Sequence, residues 1–212
     1  MYDNVFIGEN AQNQTKRILI LGESHYEESG KIDGGTASVV KYLAINGNDN
    51  KTQFYKNIMR TFGYEISKES RNEFWNKVYC GNYVNDPCGK GKNNPAKSEI
   101  SKNRTKYNDN LFNFINENGI DIILCFSRLV YNSLPSFSKS ENQKQLTDKT
   151  ELLKHRYHEL YKFEYLPDFG HKHSTVKLKK PLIVYGFKHP SACYSYSTYY
   201  KSLEKEINEI GL

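Results

Sequence analysis

The stretch Arg17-Ile18-Leu19-Ile20-Leu21-Gly22-Glu23-Ser24-His25-Tyr26 decides the fold. Five residues that begin with one cation and continue with four unbroken aliphatics read as a strand buried on both faces, because a strand with one wet face would alternate apolar and polar side chains. Two more runs repeat the pattern: Asp121-Ile122-Ile123-Leu124-Cys125-Phe126 and Leu182-Ile183-Val184-Tyr185-Gly186. Lys77-Val78-Tyr79-Cys80-Gly81-Asn82-Tyr83 reads as a fourth, weaker strand. Between them, helical spacing predicts helices over 37–43, 52–62, 108–118, 128–134 and 197–210, the last with Tyr200, Leu203, Ile207 and Ile210 on its apolar side. Strand and helix in alternation predict an α/β domain, a three-layer α/β/α sandwich around a mainly parallel sheet of about four strands. The polar segment from Ser136 to Thr150 reads as a loop or a poorly ordered insertion.

At 212 residues, one compact domain over 1–212 is expected. Mean hydropathy is −0.76, as suits a globular chain with a wet surface, and no run approaches the roughly 20 apolar residues of a membrane-spanning helix. Met1-Tyr2-Asp3-Asn4 lacks the basic-then-apolar order of a secretory signal, so a cytoplasmic protein without membrane contact is expected. Cys80, Cys88, Cys125 and Cys193 are scattered without a Cys-x-x-Cys pair and read as reduced thiols.

The net charge of +6 is compatible with a polyanionic partner without requiring one. Lys90, Lys92, Lys97, Lys102, Arg104 and Lys106 face only Glu99 in a stretch of low apolar content, which reads as a basic loop. It is either a solvated surface or a seat for nucleic-acid phosphates. His171, Lys172, His173, Lys177, Lys179 and Lys180 form a second basic group before the last strand.

In parallel α/β sheets, ligands gather beyond the carboxyl ends of the strands. That rule selects Gly22-Glu23-Ser24-His25-Tyr26, Asn82-Tyr83, Ser127-Arg128 and Lys188-His189-Pro190-Ser191. Gly22 would let the chain turn so that Glu23 and His25 project over the sheet edge, where a carboxylate orients water and an imidazole donates or accepts a proton. An ordinary strand-to-loop turn is the plainer reading of the same residues. Pro190 stiffens the last segment and restricts His189 to extended geometry.

A glycine-led acidic turn after an early strand, together with His189-Pro190-Ser191 after a late one, resembles the uracil-DNA glycosylase superfamily. The likeness continues through Phe74 to Val84, which looks like the strand that supplies a base-reading Asn, and through Asp121 to Leu134, which looks like the buried strand and its following helix. The resemblance implies an α/β/α sandwich that flips a nucleotide from DNA and hydrolyses its N-glycosidic bond. Glu23 would then act on the water, because Ser24 stands where some members place a water-activating Asp, and His25 stands where members usually have Pro. His189 would stabilise the departing base anion. Asn82 would read the base edge, Ser191 would contact a phosphate, and Tyr194 or Tyr196 would fill the gap left by the flipped nucleotide. Tyr26, Tyr83 and Phe126 are the aromatics nearest in sequence for stacking.

The partner implied is DNA, duplex or single-stranded, bound by a monomer that carries no cofactor. Iron–sulfur members use four cysteines with close pairs, and this chain has the number without the spacing. Two other readings stand beside this one. A non-catalytic module of the same fold would bind nucleic acid or protein. A metal-dependent hydrolase built on Gly-Glu-x-His would draw further ligands from His155, His158, His171 and His173, with His171 and His173 sharing a strand face.

Overall fold

The computed structural model describes residues 4–26, 35–47, 52–88, 95–137, 150–155, 158–190 and 194–212. The strands are β1 (Phe6–Ile7), β2 (Ile18–Tyr26), β3 (Tyr79–Cys88), β4 (Ile122–Cys125), β5 (Ser136–Phe137), β6 (Thr150–His155), β7 (His158–Tyr165), β8 (His171–Lys172) and β9 (Leu182–Phe187). The helices are α1 (Gly35–Val39), which runs into a π-helical turn over Val40–Ile45, then α2 (Gln53–Thr61), α3 (Lys68–Asn76), α4 (Pro95–Asn118), α5 (Arg128–Ser133), α6 (Tyr196–Leu203) and α7 (Ile207–Ile210).

Seven strands form one sheet in the order β1-β3-β2-β4-β9-β7-β6, while β5 and β8 pair separately. The four strands at its centre, β3, β2, β4 and β9, run parallel, and β1, β7 and β6 add antiparallel edges. The expected strand count of about four is therefore short. The four anticipated runs are the parallel centre. The missing β7 carries Tyr161, Phe163 and Tyr165 in alternation with Lys162 and Glu164, a period-two pattern that a search for unbroken apolar runs passes over.

Alternation along the central strands sends side chains into two separate cores. Leu19, Leu21, Tyr79, Tyr83, Ile123, Cys125 and Val184 pack beneath α4 and α5. Ile18, Ile20, Cys80, Ile122, Leu124, Tyr185 and Phe187 pack beneath α2, α3, α6 and the turn after α1. Helices thus cover both faces of a mixed α/β sheet.

Three boundaries differ from expectation in ways that matter. The stretch from Pro95 onward is helix rather than loop: Pro95 opens α4 at the position where a missing amide costs nothing, and Ala96, Ile100, Tyr107, Leu111 and Ile115 form a buried stripe at helical spacing. The expected helix over 197–210 is broken into α6 and α7, with Tyr199 buried and Tyr200 exposed. Phe74 and Trp75 end α3, a helix capped by Ser67 Oγ accepting from the Ser70 amide, rather than beginning a strand. Among the described residues no helix is long and apolar enough to cross a membrane.

Candidate functional site

Each central strand delivers one element of the site near the level at which β4 and β9 end. On β2 the chain does not turn at Gly22, as expected, but stays extended through Tyr26, and Gly22 lies opposite Asn82 of β3. The glycine serves close approach rather than a left-handed turn: a Cβ built there would stand 2.3 Å from Asn82 Oδ1. Asn82 is buried, and its Nδ2 donates to Thr36 Oγ1 of α1 at 3.3 Å. Thr36 therefore sets which way the amide faces.

Glu23 points to the other face of β2. Its Oε2 accepts a hydrogen bond from Ser127 Oγ at 2.8 Å. The same Ser127 hydroxyl caps α5 by accepting from the Val130 amide at 3.3 Å, and the residue is buried. One side chain thus starts a helix and holds a carboxylate.

His189 follows β9. Its ring packs against Phe54 of α2 at 5.1 Å between centroids, and the loop is pinned by Asn57 Nδ2 donating to the Pro190 carbonyl at 2.8 Å. Burial lowers the imidazole pKa, and the negative charge of Glu23 works against that shift. His189 is accordingly neutral at pH 7 and lies within electrostatic reach of Glu23.

Glu23, Asn82 and His189 therefore lie at one end of the sheet, joined by Thr36, Phe54, Asn57 and Ser127. Of these four, only Ser127 carried a sequence signal, its place just after a strand. The others lie on helices, where nothing in the local pattern marks them.

The remaining expected site residues divide. Ser24 Oγ is buried with no hydrogen-bond partner among the described residues. Tyr83 is not a stacking surface: it is fully buried beneath α4, where its hydroxyl donates to Asn108 Oδ1 at 2.7 Å, since residues 82 and 83 point to opposite faces. Phe126 is likewise core, stacked on Phe187 at 4.5 Å. Tyr194 is not a wedge. Its hydroxyl pairs with Thr61 Oγ1 at 2.7 Å and its ring stacks on Tyr199 at 4.6 Å. The exposed Tyr196 lies under Arg60, 5.2 Å from the ring centroid.

Lys97, Lys102, Arg104 and Lys106 are on α4. Arg104 has a structural task, donating through Nε to Ser133 O at 2.7 Å and through Nη2 to Leu134 O at 3.0 Å and Asn132 O at 3.2 Å. Lys90, Lys92 and Ser191, and the side chains of His25 and Tyr26, lie outside the described residues.

The metal-ligand pattern is not supported where it can be followed. His173 has φ of 66°, so it leaves the strand that holds His171, and the two do not share a face. His171 is buried against Phe112 and Tyr165. His158 sits edge-on to Tyr199, and the His155 side chain lies outside the described residues. Among the described residues no three His, Cys, Asp or Glu side chains are grouped to hold a metal. Cys80 and Cys125 are free and buried, their thiols pushed up to about 12 by burial. No protein-family model matches this chain, and no curated protein does either.

Proposed function

We propose that this chain is a DNA base-excision glycosylase that hydrolyses the N-glycosidic bond of a uracil or modified base flipped from duplex or single-stranded DNA. The observation that supports this reading is that Glu23, Asn82 and a neutral His189 lie toward the same end of one parallel sheet, with the charge of Glu23 acting on the His189 ring. Ser127 holds the Glu23 carboxylate in one orientation, as a group that aims water at an anomeric carbon requires. A neutral imidazole donates its N–H to the departing base as negative charge develops there. Asn82, oriented by Thr36, presents an amide to the base edge, and Phe54 beside His189 offers an aromatic face. The shift from Asp to Ser at position 24 leaves the water to Glu23.

The test is abasic-site formation on oligonucleotides that carry uracil, hypoxanthine or modified cytosines, comparing wild type with Glu23→Gln. Loss of the carboxylate should slow base release by about 10²–10⁴-fold. It should also lower the His189 pKa further, because Glu23 supports protonation of that ring. A Glu23→Gln protein that releases base at the wild-type rate sinks the reading. DNA binding without base release from any of these substrates points to a binding module instead.

A further inference from the structure

Along the first half of α4 runs a groove of about 520 Å³, lined by Lys97, Lys102, Arg104 and Lys106 of α4, Ser133 of α5 and His173. The helix bends at Asn103, inside this lining, where φ is −120° and ψ 22°. α4 runs antiparallel to β3: Phe114 meets Tyr79 near the start of that strand, and Asn108 meets Tyr83 further along it. The groove therefore lies toward the same end of the sheet as Glu23, Asn82 and His189, on the face covered by α4 and α5.

We propose that this groove seats the sugar–phosphate backbone of the DNA strand whose base enters the strand-end site. The inference rests on the reading of the chain as a DNA-acting enzyme and adds a surface that the chemistry itself does not require. Among the described residues, four cationic side chains line the groove and no carboxylate does. The nearby Glu99 is held by the Tyr107 hydroxyl at 2.8 Å and by Asn103 Nδ2 at 2.6 Å, outside the lining. Lys97 to Lys106 covers about 13 Å of helix axis. That is too long for one phosphate and equals roughly four nucleotides of a strand at about 3.4 Å each. The field is felt at the rim: the His173 imidazole is held below its ordinary range by burial first, then by Arg104 and Lys172. Arg104 contributes charge from a fixed position, since its hydrogen bonds go to the end of α5.

The experiment replaces the three lysines (Lys97→Gln, Lys102→Gln, Lys106→Gln) and keeps Arg104. Binding of a labelled oligonucleotide without a target base is measured across salt concentrations, with His173 ring resonances followed by NMR. If every lysine meets a phosphate, the slope of log affinity against log salt should flatten by up to about 2.7 for duplex and about 2.1 for single-stranded DNA. The His173 shift on DNA addition should shrink with it, in a variant whose cooperative thermal transition shows that it is folded. An unchanged slope in a folded variant overturns the groove and leaves the glycosylase reading standing. Equal affinity and equal slope loss with poly-glutamate overturn nucleic acid as the occupant. A wild-type protein that binds no oligonucleotide overturns both readings. Slope loss as expected, with no base release from any substrate, supports the groove and overturns only the glycosylase.

Discussion

Gly22→Ala separates stability from site geometry. The added Cβ would lie 2.3 Å from Asn82 Oδ1, 3.5 Å from Asn82 Cγ and 3.7 Å from the Gly81 carbonyl oxygen, so only the amide oxygen is in the way. That oxygen must withdraw by about 1 Å to reach ordinary contact distance. The backbone of Gly22 lies outside the left-handed region, so alanine meets no dihedral strain there. Swinging the amide away breaks its bond to Thr36, at a net cost of about 0.5–1.5 kcal/mol. The lost freedom of the unfolded chain returns about 0.4–1 kcal/mol. Folding stability should then stay within about 1 kcal/mol of wild type. Base release should drop about ten- to a hundredfold, because a base edge left without its amide partner forfeits about 1–3 kcal/mol. Gly8→Ala is the control. Its Cβ would stand 2.4 Å from the Trp75 carbonyl oxygen and 2.6 Å from the Asn76 backbone, where no flexible side chain is available to yield. It should cost about 1–3 kcal/mol of stability and leave the activity of the folded fraction intact. Urea denaturation and single-turnover base release measure the two quantities. Full activity in Gly22→Ala, or destabilisation equal to that of Gly8→Ala, refutes the packing argument.

Arg104→Gln should destabilise the fold by about 2 kcal/mol, because a charged donor serving three carbonyls at the end of α5 is lost; denaturant midpoints check this, and the lysine-to-glutamine variants of the same helix should not show it. Stability should also fall on acidification. The His171 pKa is lowered by burial, so the unfolded chain binds more protons between the folded value and the ordinary value of about 6.5. The His171 contribution is therefore complete above about 6.5 and is lost as pH falls below it, and His171→Phe should flatten that part of a urea-midpoint series.

The parallel centre of the sheet was legible because a strand covered on both faces needs no polar positions, and Ile18 to Leu21, Ile122 to Phe126 and Leu182 to Tyr185 have almost none. The antiparallel edge was not, because β7 is only half covered and mixes Glu159, Lys162 and Glu164 with its aromatics. The first half of α4 hid for a related reason. Its buried stripe needs only Ala96, Ile100 and Tyr107 in its first thirteen residues, and the charged residues between them gave the stretch the composition of a loop. In both places the covering layer is thin, and sparse apolar positions suffice.

The candidate site shows why motif reading singled out Glu23 and His189 without finding what holds them. Leu19 and Leu21 pack toward α4 and α5 while Ile18 and Ile20 pack toward α2 and α3, so Glu23 follows the odd-numbered face and Gly22 the even. Asn82 follows Cys80 onto the even-numbered side, and His189 packs there against Phe54. Glu23 and His189 thus belong to opposite faces of the sheet, and only where the strands end can the charge of one act on the ring of the other. Each is then fixed by the helix layer on its own side, Glu23 by the Ser127 cap of α5 and the His189 loop by Asn57 of α2. Both supports are remote in sequence from the groups they hold, and Asn57 carries no local signature. A residue pattern along one strand therefore marks the candidate groups, and only the packing of both helix layers specifies their orientation.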